Sequence, residues 1–142
     1  MLADNLKIYL ATVTSFYLKT HGFHWNVTGS NFPQYHALLD SIYSDVYGSI
    51  DPTAEYIRSL NEFAPASFSR YSELTKIEDQ TKIPKAELML KELLKDNDLI
   101  IEMLKDLFDE ATEARENGIA NFLADRQSMH GKWKWQLSAT VE

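Results

Sequence analysis

The chain has 142 residues, a formal net charge of -7 and no cysteine. Its length fits one domain with a sizeable core. The acidic balance supplies no global basic field for nucleic acid, and the missing thiols exclude disulfides and thiolate chemistry, so any metal site must use N and O ligands.

The first residues, MLADNLKIYLATVTSFYLKTHG, show no basic n-region ahead of an apolar core and no small-residue cleavage signal. No apolar run approaches the ~18 residues of a membrane span. The expectation is a cytoplasmic protein with no membrane partner.

Glycine and proline are sparse, which favours helix. A first helix is predicted over ~4–27, with Leu6, Leu10, Val13 and Tyr17 at 3–4 spacing and His24 continuing that face. Leu2, Tyr9, Phe16 and Phe23 widen the apolar surface. Thr28–Asn31 reads as a loop. Asn31 is then the N-cap of a second helix, ~32–61, with Pro33 at N2. Its apolar series is Tyr35, Leu38, Leu39, Ile42, Val46, Ile50, Ala54 and Ile57. Pro52 interrupts it, removing one hydrogen bond and pressing on the carbonyl of Gly48. A kink is expected there; the alternative is a fresh helix capped by Asp51.

Residues 62–83 form a long polar connection with one short helix near Ser67–Leu74. Pro84 opens a third helix, ~84–114, carrying Leu88, Leu90, Leu94, Ile101, Leu104, Leu107 and Phe108. Glu116-Asn117-Gly118 is read as a turn. A fourth helix follows over ~118–136, with Ile119, Phe122, Leu123, Met129 and Trp133. The predicted architecture is all-α: one domain over 1–142, a four-helix bundle with a long middle crossover carrying a short helix, which is the ferritin-like arrangement.

Three of the four histidines, His21, His24 and His36, lie within HGFHWNVTGSNFPQYHALLD, and Asp40 follows His36 by four residues. His36 and Asp40 therefore share a helix face, and the loop brings His24 beside them. Two imidazoles and a carboxylate suit a divalent transition metal. An i,i+4 His–Asp pair is also an ordinary surface feature. Asp51 and Glu55 form a second i,i+4 pair facing the same way, eleven residues further on. At 1.5 Å per residue that is about 16 Å, too far for metal bonds near 2 Å. The two pairs can share an ion only if a second copy packs across a two-fold axis. Otherwise Asp51 and Glu55 are a solvated face or a cap. No Glu-x-x-His occurs, so the usual intramolecular di-iron centre of such bundles is absent.

The stretch KTHGFHWNVTGSNFPQYHALLDSIYSDVYGSIDPTAEYIRSL resembles the signature of the Dps mini-ferritins, the DNA-binding proteins from starved cells. The matching positions are His24-Trp25-Asn26, Phe32, His36, Asp40, Asp51 and Glu55. The resemblance implies a hollow homo-dodecamer acting as a ferroxidase. Ferrous iron would be oxidised at an inter-subunit centre holding two irons, with hydrogen peroxide as the usual oxidant and oxygen as the other. Ferric mineral would be stored in the shell, protecting against oxidative damage. His24, His36 and Asp40 would come from one subunit, and Asp51 and Glu55 from its two-fold mate. Trp25 would shield the centre or intercept oxidising equivalents, or else simply pack. His21 is read as structural.

The chain departs from the family pattern at three places. Pro52 stands between the two mate-side ligands. The start lacks the Lys/Arg-rich tail with which many relatives bind DNA, and the KWKW stretch (Lys132, Trp133, Lys134, Trp135) reads as end-of-helix packing. DNA binding is therefore expected to be weak or absent, although a DNA-compacting shell with a vestigial metal site is the rival reading. Glu116, Asn121 and Asp125 are candidates for a pore lining or ordinary surface residues, and His130 and Gly131 stand where many relatives carry an acid.

Overall fold

The computed structural model describes residues 1–142 as five helices and no strand: α1 (Leu2–Asn26), α2 (Phe32–Ser59), α3 (Phe68–Leu74), α4 (Ala86–Glu113) and α5 (Asn117–Val141). The long helices pair as α1 with α2 and α4 with α5, and α1 joins the pairs through α4. The crossover between α2 and α4 runs outside the bundle and lays α3 against α1. None of the helices is long and apolar enough to cross a membrane.

The core follows helical spacing. Leu6, Tyr9, Leu10, Val13 and Phe16 of α1 are fully buried or nearly so, as are Leu39, Ile42, Val46 and Ile57 of α2. Both stripes predicted for α1 thus contribute to the core. On α4 the predicted stripe was displaced by about one residue. Met89, Leu93 and Ile100 join Leu90, Leu104 and Leu107 in the core, while Leu88 is exposed. An apolar-rich helix offers two adjacent stripes, and the position of α5 decides between them. Deleting one such side chain, for example by Leu104→Ala, is expected to cost about 2–5 kcal/mol.

α2 runs unbroken through Pro52, so the proline neither stops the helix nor starts a new one. Next to it, Thr53 donates its hydroxyl to the Ser49 carbonyl at 2.7 Å. Asn31 occupies the N-cap position of α2, but its side chain makes no capping bond. Ser67, by contrast, accepts from the Arg70 amide and caps α3.

Both α2 and α4 end in the same way. Beyond α2, Asn61 takes φ +65°, with the Asn61 amide on the Arg58 carbonyl and the Glu62 amide on that of Ile57. Beyond α4, Arg115 takes φ +60°, with its amide on Thr112 and the Glu116 amide on Ala111. These are Schellman closures, which satisfy the last free carbonyls. The predicted turn at 116–118 is therefore corrected to 114–116. Asn117 and Gly118 already belong to α5, and α5 continues to Val141, five residues past the predicted end.

One polar cluster ties the two helix pairs together. Asp45 of α2 receives a bidentate pair from Arg126 of α5 at 2.9 Å each. The Trp133 indole donates to the same carboxylate at 2.8 Å. Burial alone would raise the Asp45 pKa, but its bonds from Arg126 and Trp133 bring it below the usual carboxylate range. Deeper in, His130 is fully buried. Its Nδ1–H donates to Asn97 Oδ1 at 2.7 Å, and Asn97 Nδ2 donates back to the His130 carbonyl at 2.9 Å. Arg126 lies 3.3 Å from His130 Nε2. Burial and the Arg126 charge push the His130 pKa down to about 3. His130 is therefore an interior hydrogen-bonding residue and not part of a solvent-lined pore. Tyr9, with its phenol pushed up to about 12 by burial, sits against the same guanidinium without closing a well-aligned bond.

Candidate metal centre

The five predicted ligands all lie on the α1–α2 hairpin. His24 is in the last turn of α1 and His36 in the first turns of α2. The five-residue link between these helices brings the two imidazoles face to face, with ring centroids 3.7 Å apart and planes 14° from parallel. His24 Nδ1 lies 2.9 Å from the His36 carbonyl, and His36 Nδ1 lies 2.8 Å from the His24 carbonyl. A carbonyl oxygen can only accept, so both Nδ1 atoms must carry the proton. With the proton on Nδ1, the lone pair of the neutral form of each ring lies on Nε2. Fixing the tautomer through the far nitrogen in this way is how histidines are readied for a metal. The bonds also serve the fold, because the His24 carbonyl is one of the terminal carbonyls that α1 leaves without an intrahelical donor.

Asp40 is exposed one turn beyond His36; the Ser44 hydroxyl lies 3.3 Å from it, and the Tyr43 phenol is beside it. Most of its acceptor capacity is free. Asp51 and Glu55 are likewise exposed, further along the continuous α2. Within one chain, no three His, Asp or Glu side chains converge on a point that could hold a metal ion. The chain brings His24 and His36 together and leaves Asp51 and Glu55 pointing outwards on their own.

Large apolar side chains are exposed on the same hairpin and on the crossover. Trp25 and Tyr47 are each 61% exposed. Leu18, Phe68 and Ile83 are also open to solvent and line a groove of about 720 Å³ between α1 and the crossover. That groove contains none of the five candidate ligands. Exposed apolar area on this scale is characteristic of a face that receives another protein surface.

Beside the histidine pair lies an aromatic cluster that spacing alone did not single out. His21 stacks on Tyr43 at 3.8 Å and 9° and touches Trp25 at 4.2 Å. Tyr43 in turn lies 5.0 Å from His24. The Tyr17 hydroxyl is 2.8 Å from His21 Nδ1. Burial, with the nearby His24 imidazole, lowers the His21 pKa. The Asp40 carboxylate holds the Tyr43 phenol above its usual range. The signal was present as two i,i+4 aromatic pairs, Tyr17/His21 and Tyr43/Tyr47, on helices joined by a short loop.

The lysines near the end of α5 are partly neutralised. Lys134 pairs with Asp98 at 3.1 Å, and Lys132 lies over the Trp133 ring. Trp133 is core, whereas Trp135 is 67% exposed.

A bundle of this topology with carboxylates and histidines on its first hairpin defines a ferritin-like protein, and the Ferritin-like domain family model matches residues 3–142. The chain is 30% identical to the DNA protection during starvation protein of Brevibacillus brevis, over all of this chain and 95% of that one. Among solved structures it is similar to a Dps protein from Bacillus brevis, with a TM-score of 0.95 and 30% identity, covering 99% of this chain and 95% of that one. The Dps protein from Vibrio cholerae O1, described as a member of a broad superfamily of ferritin-like diiron-carboxylate proteins, matches with a TM-score of 0.95 and 29% identity, covering 99% of this chain and 89% of that one. The chain belongs to the Dps family of mini-ferritins.

Proposed function

We propose that the protein is a ferroxidase and iron store that completes its site by assembly. The observation that carries this reading is the reciprocal His24–His36 pairing, which leaves two Nε2 lone pairs with the open Asp40 carboxylate one helical turn beyond His36. Ferrous iron is the substrate. His24, His36 and Asp40 of one subunit bind it together with Asp51 and Glu55 of the two-fold mate. The exposed Leu18, Trp25, Tyr47 and Phe68 support burial of this face between copies. An isologous contact makes two equivalent sites, each using both chains.

Two ferrous ions held together give two electrons to one hydrogen peroxide. With two protons this yields two ferric ions and two waters, so no hydroxyl radical is released. The ligands are hard oxygens and imidazoles, suited to both iron states. The ferric product is stored as mineral inside a dodecameric cytoplasmic shell. Ion pairing of Lys134 and the net negative charge favour weak or absent DNA binding.

The test is ferrous oxidation followed by absorbance, with peroxide and with oxygen. The wild-type protein is expected to oxidise iron well above background, and His36→Ala combined with Asp40→Ala is expected to remove that activity. An unchanged rate in the double variant would overturn the reading.

A further inference from the structure

A peroxide needs two electrons to become two waters. If only one ferrous ion is bound, the second electron must come from elsewhere or a hydroxyl radical escapes. A centre that fills one iron at a time passes through that singly occupied state.

The aromatic cluster beside His24 meets that need. Rings in contact run from His24 to Tyr43, then to His21, and on to Trp25 and Tyr17. Tyr17 also touches Tyr43 and Tyr47, at 6.2 and 5.1 Å. Oxidising a phenol without moving its proton leaves a high-energy radical cation, so the useful donor is the phenol with a base at hydrogen-bond distance. Tyr43 has Asp40 beside it, but on the proposed reading that carboxylate is occupied by iron. Tyr47 and Trp25 are largely solvent-exposed. Tyr17 is half-buried, and its hydroxyl lies 2.8 Å from His21 Nδ1, a nitrogen outside the proposed ligand set.

Resting on the ferroxidase reading above, we infer that the Tyr17–His21 pair supplies the second electron when a peroxide meets a half-loaded centre. Iron gives one electron and Tyr17 gives the other. The O–O bond breaks and two waters form. One of the two protons consumed is matched by the one Tyr17 releases to His21 Nδ1, and the other comes from solvent. The products are one ferric ion, one neutral Tyr17 phenoxyl radical and two waters. The next ferrous ion reduces the radical, the phenol regains a proton, and a second ferric ion results. The net reaction equals that of a fully loaded site, carried out one iron at a time.

The experiment uses the assembled protein, loaded with one ferrous ion per site, mixed with hydrogen peroxide and freeze-quenched for electron paramagnetic resonance. A parallel sample carries a hydroxyl-radical spin trap. Wild type is expected to show a tyrosyl radical and little trapped hydroxyl. Tyr17→Phe keeps the ring but is expected to lose the radical and gain the hydroxyl adduct, while oxidising iron at the wild-type rate when two ferrous ions per site are supplied. Tyr43→Phe is expected to retain the radical. An undiminished radical in Tyr17→Phe, its loss in Tyr43→Phe, or iron oxidation in wild type with no tyrosyl radical would overturn the inference alone. A wild type that oxidises no iron overturns the ferroxidase reading and this inference with it.

Discussion

His24 and His36 each donate Nδ1–H to the other's backbone carbonyl, at 2.9 and 2.8 Å, with their rings stacked between. Alanine at either position keeps the backbone carbonyl that holds the other ring's Nδ1–H, but removes the imidazole stacked on that ring and with it one proposed iron ligand. His24→Ala and His36→Ala are therefore each expected to slow ferrous oxidation by about 10–100-fold. The double variant should add little to either single one, because the two residues act as a unit. Initial rates of iron oxidation for the three variants check this. Fully multiplicative losses would show two independent ligands.

Asp45 is the one carboxylate facing buried Arg126. Asp45→Ala leaves that guanidinium desolvated without its partner, and the Trp133 indole loses its acceptor. The expected loss is about 3–5 kcal/mol, read as a fall in the denaturation midpoint. Lys134→Ala breaks an exposed pair with Asp98 and is expected to cost less than about 1 kcal/mol.

Acid should act on the fold through His130. Its pKa is about 3 in the folded chain and 6.5 for an unperturbed imidazole. Between these values the unfolded chain binds the extra proton, so stability falls as pH falls. The slope approaches about 1.4 kcal/mol per pH unit in that window. Above pH ~6.5 the contribution is complete and flat. Melting temperatures of wild type and His130→Gln from pH 7.5 to 5 are expected to converge on acidification. Parallel curves would count against this.

Arg115 holds φ +60° at the end of α4, a conformation that costs a side-chain-bearing residue about 1 kcal/mol relative to glycine. Its side chain makes no hydrogen bond or ion pair in the chain. Arg115→Gly is expected to raise stability by up to that amount, offset in part by added freedom in the unfolded chain. A lower denaturation midpoint would mean that Arg115 is held by contacts between copies.

Much of this structure is readable in the residues because the signals are local. Helical periodicity located every long helix, and Ser67 marked the start of α3. His36 and Asp40 share a face by spacing alone. The misses are non-local. Nothing near residue 45 announces Arg126, eighty-one positions away, and nothing near His130 announces Asn97. The end of α5 was set too early because the Lys/Trp alternation masks its helical contacts. The choice of buried stripe on α4 depends on where α5 lies. The second half of the proposed metal centre lies a further step away, since its partner residues belong to another molecule.

The central claim, that the site is shared between chains, is tested most directly by subunit complementation. One variant carries His36→Ala and Asp40→Ala, the other Asp51→Ala and Glu55→Ala, and the two are co-assembled from unfolded chains in equal amounts. Each two-fold pair of unlike subunits contains one site with all its ligands and one with none of the four. Half the pairs are mixed, so the shells should regain about a quarter of the wild-type ferrous oxidation rate, while each variant assembled alone stays near background. Mixed shells no more active than either parent, or a parent with the wild-type rate, would contradict a centre built from two subunits.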